Sequence, residues 1–144
     1  MNIAPASPND YDTLMRIWAS SVKASHHFLK EADFLWYQEI IADQFFPQVQ
    51  LYLIKDAQEV PQGFLGTAGD MLEMLFIDAA ARGKGYGKAL LHFAIHTLAI
   101  KKVDVNEQNE EAVAFYLSQG FSVHARSAQD GMGKDYPILH LQRR

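Results

Sequence analysis

The segment Leu75-Phe76-Ile77-Asp78, three alanines, then Arg82-Gly83-Lys84-Gly85-Tyr86-Gly87-Lys88 decides how the rest of the chain is read. An apolar, strand-like run stops at an acid, and a glycine-rich turn opens a helix. The first N–H groups of a helix have no intrahelical partner and stand at the positive end of its dipole. Such a turn is an anion cradle suited to phosphates. Its glycines remove side chains that would hold a pyrophosphate away, and Arg82 and Lys84 add cationic donors. Two familiar phosphate motifs do not fit. A P-loop needs Ser or Thr after Gly-Lys, and Gly87-Lys88 is followed by Ala89; a dinucleotide fingerprint starting at Gly83 needs glycine where Lys88 stands.

Working outward, a helical period begins at Gly85, with Leu91, Ala94, Ile95, Leu98 and Ala99 along one stripe. Lys102 to Val105 reads as a short strand, and Asn109 to Gln119 as a helix stopped by Gly120, a residue suited to a left-handed C′ position. Phe121 to Ala125 and Tyr136 to Leu141 read as closing strands. Upstream, Gln50 to Lys55, Gln62 to Ala68 and Met71 to Ile77 are expected as strands, with Asp56 to Pro61 a turn. Ser7-Pro8-Asn9-Asp10 has the chemistry of a helix start, and the helix is expected to reach about Ala24 with Leu14, Ile17, Trp18 and Ser21 inward. A second helix is expected over about Ala32 to Phe45. Phe34, Tyr37, Ile41 and Phe45 share one face, and Trp36 and Ile40 add apolar surface on another, which points to a ligand or a partner chain as cover. The order is mixed α/β.

Composition narrows the function classes. The chain has 144 residues and 49% apolar against 21% charged side chains, consistent with a single domain over 1–144. It has no cysteine, which excludes a thiol nucleophile, an Fe–S cluster and cysteine-ligated zinc. Thirteen Lys and Arg against seventeen Asp and Glu give a net charge of −4, so the overall basic field of a nucleic-acid binder is lacking. No stretch is apolar enough to span a membrane, and no basic-then-apolar leader is visible, so a soluble cytoplasmic protein is expected. His92 and His96 have the i, i+4 spacing of a two-histidine metal site, but no third ligand is apparent and no metal is expected. Arg143-Arg144 reads as a solvated end.

Arg82, Gly85 and Gly87 also fill the fixed positions of a Gln/Arg-x-x-Gly-x-Gly/Ala signature. Further motifs follow in order: Val105-Asn106-Glu107-Gln108-Asn109, Ala112, Phe115-Tyr116 and Gly120-Phe121, with the stretch Ser21 to Leu29 upstream. In these motifs the chain resembles the GNAT superfamily of N-acetyltransferases, and among them small bacterial members of the YjaB type. The resemblance implies a central mixed, mostly antiparallel twisted sheet of about six to seven strands flanked by four helices. It also implies direct transfer of acetyl from acetyl-CoA to a primary amine in a ternary complex, with no nucleic acid or membrane involved and a monomer or homodimer as the assembly. The alternative is a non-catalytic acyl-CoA-binding module of the same fold.

The chemistry of that transfer sets what to look for. An alkyl ammonium of pKa about 10.4 is only about 0.04% neutral at pH 7, so freeing its lone pair costs about 4.6 kcal/mol. Glu73, in the strand before the glycine loop, is the candidate base by resemblance; otherwise it is a solvated strand carboxylate. His26 matches a histidine of the YjaB type and either binds or deprotonates the acceptor, or is a loop residue. Tyr116 is the candidate acid for the departing thiolate, or else core. The resemblance places the backbone of Leu75, Phe76 and Ile77 along the pantetheine arm, and the pyrophosphate on Arg82, Gly83, Lys84, Gly85, Tyr86, Gly87 and Lys88. Asn106 and Asn109 either bond the arm or cap the next helix. Residues 109 and 116 are seven apart, about 20° from the same helical direction, so both can face one groove.

Overall fold

Residues 1–143 are described by a computed structural model; Arg144, half of the expected solvated end, lies outside the described residues. Seven strands form one sheet: β1 (Asn2–Pro5), β2 (Gln50–Lys55), β3 (Pro61–Ala68), β4 (Met71–Ile77), β5 (Lys102–Asn106), β6 (Phe121–Ser127) and β7 (Ile138–Arg143). Their order is β1-β2-β3-β4-β5-β7-β6, and every neighbouring pair is antiparallel except β4 with β5. Four α-helices flank the sheet: α1 (Tyr11–Ser25), α2 (Glu31–Ile40), α3 (Tyr86–His96) and α4 (Glu110–Ser118).

Residue pattern explains most of this, and four departures have physical causes. β1 was not expected, because Asn2-Ile3-Ala4-Pro5 is too short to show a period and contains proline. It is an edge strand, paired only with β2, where a missing N–H is tolerated. The second helix stops at Ile40, and a π-turn over Ile41–Phe45 follows, with the Phe46 N–H donating to the Ile41 carbonyl. That five-residue spacing brings Ile41 and Phe46 to the same side, and both are buried. α3 ends at His96, earlier than its stripe implied. Ala99 takes a left-handed φ of 58°, and the Ile100 N–H donates to the Ala94 carbonyl at 3.1 Å, so Leu98 packs on the core from the cap instead of the helix. On α1 the buried stripe is Leu14, Ile17, Trp18 and Val22, while Ser21 turns toward a cavity.

Each face of the sheet carries its own core. α1 and the α2 region pack Trp18, Ile41 and Phe46 on Leu51, Leu53 and Phe64. On the other face α3 packs Leu90, Leu91 and Ala94 on Ile54, Leu65, Leu72 and Val103, joined by Tyr116 of α4 and by Phe121. Between the two halves, β4 and β5 pair only at Met71↔Lys102 and Leu72↔Val103. Beyond those pairs the strands diverge, and a wedge opens in the middle of the sheet. The facing edge of β4 from Glu73 onward has no ladder partner there among the described residues.

β4 carries a second local feature at this point. Gly66 faces Met74 and Thr67 faces Leu72, so Glu73 is the extra residue of a β-bulge. Strict alternation along a strand would place Glu73 on the face of Leu75 and Ile77. The bulge instead leaves Leu72 and Leu75 in one core and re-aims Glu73 into the wedge.

Candidate active site

The wedge holds a cavity of about 530 Å³. Its floor is β4 from Leu72 to Ile77; one wall is Val103 to Asn106 of β5 with Asn109, Ala112, Phe115 and Tyr116, and its end is Arg82, Gly83 and Gly85 to Lys88. All but one of the residues singled out from sequence therefore converge. The exception is Lys84, which does not line the cavity and stands close enough to Asp56 to help lower that carboxyl.

The glycine turn is held from behind. Asp78 accepts from the Ala80 N–H at 3.1 Å and from Ser20 Oγ at 3.2 Å, and its other oxygen meets Arg16 Nη1 at 3.3 Å. Gly85 is the N-cap of α3 with φ 90°, a left-handed conformation that favours glycine. A Cβ there would meet only Met1 Cε at 3.8 Å, so the loop faces open space. Gly83 is likewise left-handed. The Arg82 guanidinium is paired with the exposed carboxylate of Glu111 at the start of α4. The opening of α4 realises the capping reading of Asn109, whose Oδ1 accepts from the Ala112 N–H at 3.3 Å. Asn106 Oδ1 accepts from the Gln108 N–H at 2.9 Å, which leaves the amide NH₂ free.

Tyr116 is 6% exposed, wedged against Phe115 and Phe121 at centroid distances of 5.3 and 5.9 Å. Its hydroxyl has no protein partner among the described residues, yet no buried side-chain polar atom is left unpartnered. The hydroxyl therefore opens onto the cavity. Burial raises the phenol's pKa above the ordinary tyrosine range, so it remains a donor. Glu73 is raised too, by partial desolvation and then by the charge of Asp104. His26 is lowered to about 4 by burial and by His27. Ser25 Oγ donates to the Ser21 carbonyl at 2.8 Å and lies 2.7 Å from His26 Nδ1. With its proton committed, that hydroxyl accepts from Nδ1–H, which leaves Nε2 as a free acceptor.

A second cavity of about 290 Å³ abuts the first, sharing His26, Glu73, Met74, Phe76 and Asn106. Trp18, Val22, Phe28, Leu29, Ile41 and Phe45 make it mainly apolar, with Tyr37, Asp130 and Tyr136 on its rim. From the sequence Tyr37 was expected only within the apolar face of α2, and Asp130 and Tyr136 were not singled out by residue. They form a clasp between α2 and the β6–β7 loop: the Tyr37 hydroxyl donates to Asp130, the Tyr136 hydroxyl donates to Asp33, and Lys134 Nζ meets Asp33 at 3.0 Å. Lys134 also sits 4.4 Å over the ring of Trp36, which accounts for part of the extra apolar face of α2. Asp104 and Glu111 were missed as well. Asp104 alternates with buried Val103 and Val105 on the face of Asn106, a period-two signal legible in the sequence.

A family model described as an acetyltransferase (GNAT) domain matches residues 22–133. The chain is 38% identical over 141 residues to the peptidyl-lysine N-acetyltransferase YjaB of Salmonella typhimurium, covering 98% of this chain and 97% of that protein. Against the Escherichia coli YjaB it is 38% identical over 130 residues, 90% of this chain and 88% of the relative. The solution structure of the apo form of Escherichia coli YjaB superposes with a TM-score of 0.89 at 35% identity, over 98% of this chain and 95% of that one. An N-acetyltransferase from Thermoplasma acidophilum in complex with coenzyme A shares the fold, with a TM-score of 0.73 at 20% identity over 99% of each chain.

Proposed function

Since the chain belongs to the GNAT acetyltransferase family and is an acetyl-CoA-dependent N-acetyltransferase rather than a non-catalytic acyl-CoA module, we propose that the amine it acetylates is the side chain of a peptidyl lysine. The observation that carries this is the meeting of two cavities at Glu73, His26 and Asn106. One cavity has the glycine turn and an unpaired strand edge. The other is an apolar slot that ends at carboxylates, suited to an aliphatic stem with a cationic tip. The relatives at 38% identity are named for the same acceptor.

Acetyl-CoA supplies an activated acetyl thioester when bound. The free N–H groups of the Gly83–Gly87 turn, with Arg82 and Lys88, hold the phosphates, and the unpaired β4 edge along Leu75 to Ile77 takes the amides of the arm as a short added strand does. The amide NH₂ of Asn106 and that of Asn109 donate into the same groove. Glu73 takes the proton of the incoming ammonium, directly or through one water, and its raised proton affinity narrows the gap to the amine. His26, neutral near pH 7, offers Nε2 as an acceptor that orients the ammonium. The Tyr116 hydroxyl gives its proton to the departing thiolate.

The test is a panel with acetyl-CoA: a lysine peptide with a blocked N-terminus, the same peptide with arginine for lysine, and simple alkyl amines. Thiol release and mass spectrometry are expected to show modification of the lysine peptide with the lowest KM. Acetylation of free N-termini or small amines without the blocked lysine peptide would overturn the acceptor assignment.

A further inference from the structure

Asp104 reaches into the wedge from β5, and behind it runs a chain of hydrogen bonds across the sheet. Asp104 Oδ1 lies 2.7 Å from His140 Nδ1 on β7, and His140 Nε2 lies 2.6 Å from Ser127 Oγ on β6. The order is that of a hydrolase triad, but Ser127 and His140 line neither cavity, so Ser127 has no bound substrate to attack. What the chain does reach is Glu73, which shares the larger cavity with Asp104.

We propose that Asp104, held by His140 and Ser127, is a positioning residue for acetyl transfer, and that its charge sets the environment in which Glu73 takes up the proton of the amine. This rests on the reading of Glu73 as the base.

An ionised carboxylate only accepts, so the neutral imidazole donates Nδ1–H to Asp104 and accepts at Nε2 from the Ser127 hydroxyl. When the ring is protonated, Nε2–H donates to the same hydroxyl, which turns to accept. Both bonds are open to either form of the ring, so the imidazole holds Asp104 in place in both. A bare Asp104 carboxylate disfavours a second negative charge at Glu73 and strengthens it as a base. A protonated His140 offsets that charge and weakens it.

Arg82, Lys88, Glu111 and the Tyr116 phenol line the same cavity toward the glycine turn and α4, and His124 stands at the β6 bulge beside His140. His26 faces Glu73 from the end of α1 and Asp130 from the β6–β7 loop across the second cavity. Lys102 precedes Asp104 by two on β5, and Glu107 is closed on Arg126 at 2.7 Å. On β7, Ile138 and Gln142 flank His140 and carry no charge.

The experiment is the acidic limb of kcat/KM against pH for a panel of full-length variants, with acetyl-CoA affinity and circular dichroism as controls. Asp104→Asn is expected to move the limb down by about half a pH unit or more. His140→Gln, which carries no charge, is expected to leave the limb above that of His140→Lys, which fixes a positive charge beside Asp104. A difference between two substitutions at one position, one neutral and one charged, separates charge from damage to the sheet. A limb that survives Glu73→Gln refutes the base assignment and this proposal with it. A limb abolished by Glu73→Gln but unmoved by Asp104→Asn, or the same in both His140 variants, overturns the proposal alone.

Discussion

Removing one oxygen from Tyr116 separates catalysis from packing with unusual clarity. In Tyr116→Phe the ring keeps its contacts with Phe115 and Phe121, and the hydroxyl gives up no protein hydrogen bond. A substitution of that kind changes stability by no more than about 0.5 kcal/mol, or about 2 °C in Tm at this chain length. General acid catalysis contributes about 10²–10⁴ in rate, and a thiolate leaves fairly well unaided, so the lower end applies. The expected loss is about a hundredfold in kcat, about 2.7 kcal/mol of barrier. Acetyl-CoA affinity changes little, because only the hydroxyl has gone. Burial keeps the phenol protonated beyond the ordinary tyrosine range, so the variant's profile drops without losing an alkaline limb below about pH 10. The measurements are kcat under conditions where acetyl transfer limits the rate, calorimetric affinity for acetyl-CoA, and a thermal melt. A kcat within about twofold of the parent assigns Tyr116 to packing and leaves protonation of the thiolate to water. A melt lowered by much more than about 5 °C shows that the hydroxyl was structural after all.

Gly85→Asp places a carboxylate at the N-terminus of α3. A left-handed non-glycine residue costs about 1–2 kcal/mol, which a domain of this size tolerates, so the variant is expected to fold yet bind acetyl-CoA at least tenfold more weakly by titration calorimetry; unchanged affinity makes the loop a structural turn only. Glu111→Gln frees Arg82 from its exposed partner and is expected to tighten acetyl-CoA binding up to about fivefold at low salt, with less gain at high salt. For His26 the folded pKa of about 4 lies below the ordinary 6.5, so the unfolded chain binds more protons between those values and stability falls as pH drops through that window. After allowance for its partial exposure the loss is about 2 kcal/mol, and chemical denaturation of His26→Gln at pH 7 and pH 4.5 is expected to show a smaller difference than the parent; an equal difference removes His26 as the source.

The legible parts of this molecule were those with a period or a motif. β2 and β4 fall at their expected bounds because their apolar content is bracketed by turn residues, and the glycine turn declared the helix it opens. Tyr116 and Asn109 share a groove, as their spacing on one helix requires. What escaped has no period to announce it. The bulge at Glu73 depends on the register of β3, a non-local fact, and the π-turn at Ile41–Phe45 depends on where Phe46 finds a core. The clasp of Tyr37, Asp130, Tyr136 and Asp33 joins residues about a hundred apart in sequence, and none is unusual within its own neighbourhood.

The two register pairs that join β4 to β5 have a meaning for how the molecule holds together. The backbone ladder divides there into a block of four strands, β1 to β4, and a block of three, β5 to β7, joined by Met71 and Leu72, by the core under α3 and by the clasp between α2 and the β6–β7 loop. A break of this kind in the ladder is a place where a fold opens locally at less cost than it unfolds. A substrate lying along the gap touches both blocks and is bound only while they stand together, so occupancy adds to stability as RT ln(1 + [L]/Kd). The groove that delivers the acetyl group thereby makes the persistence of the fold a function of how much acetyl donor surrounds it.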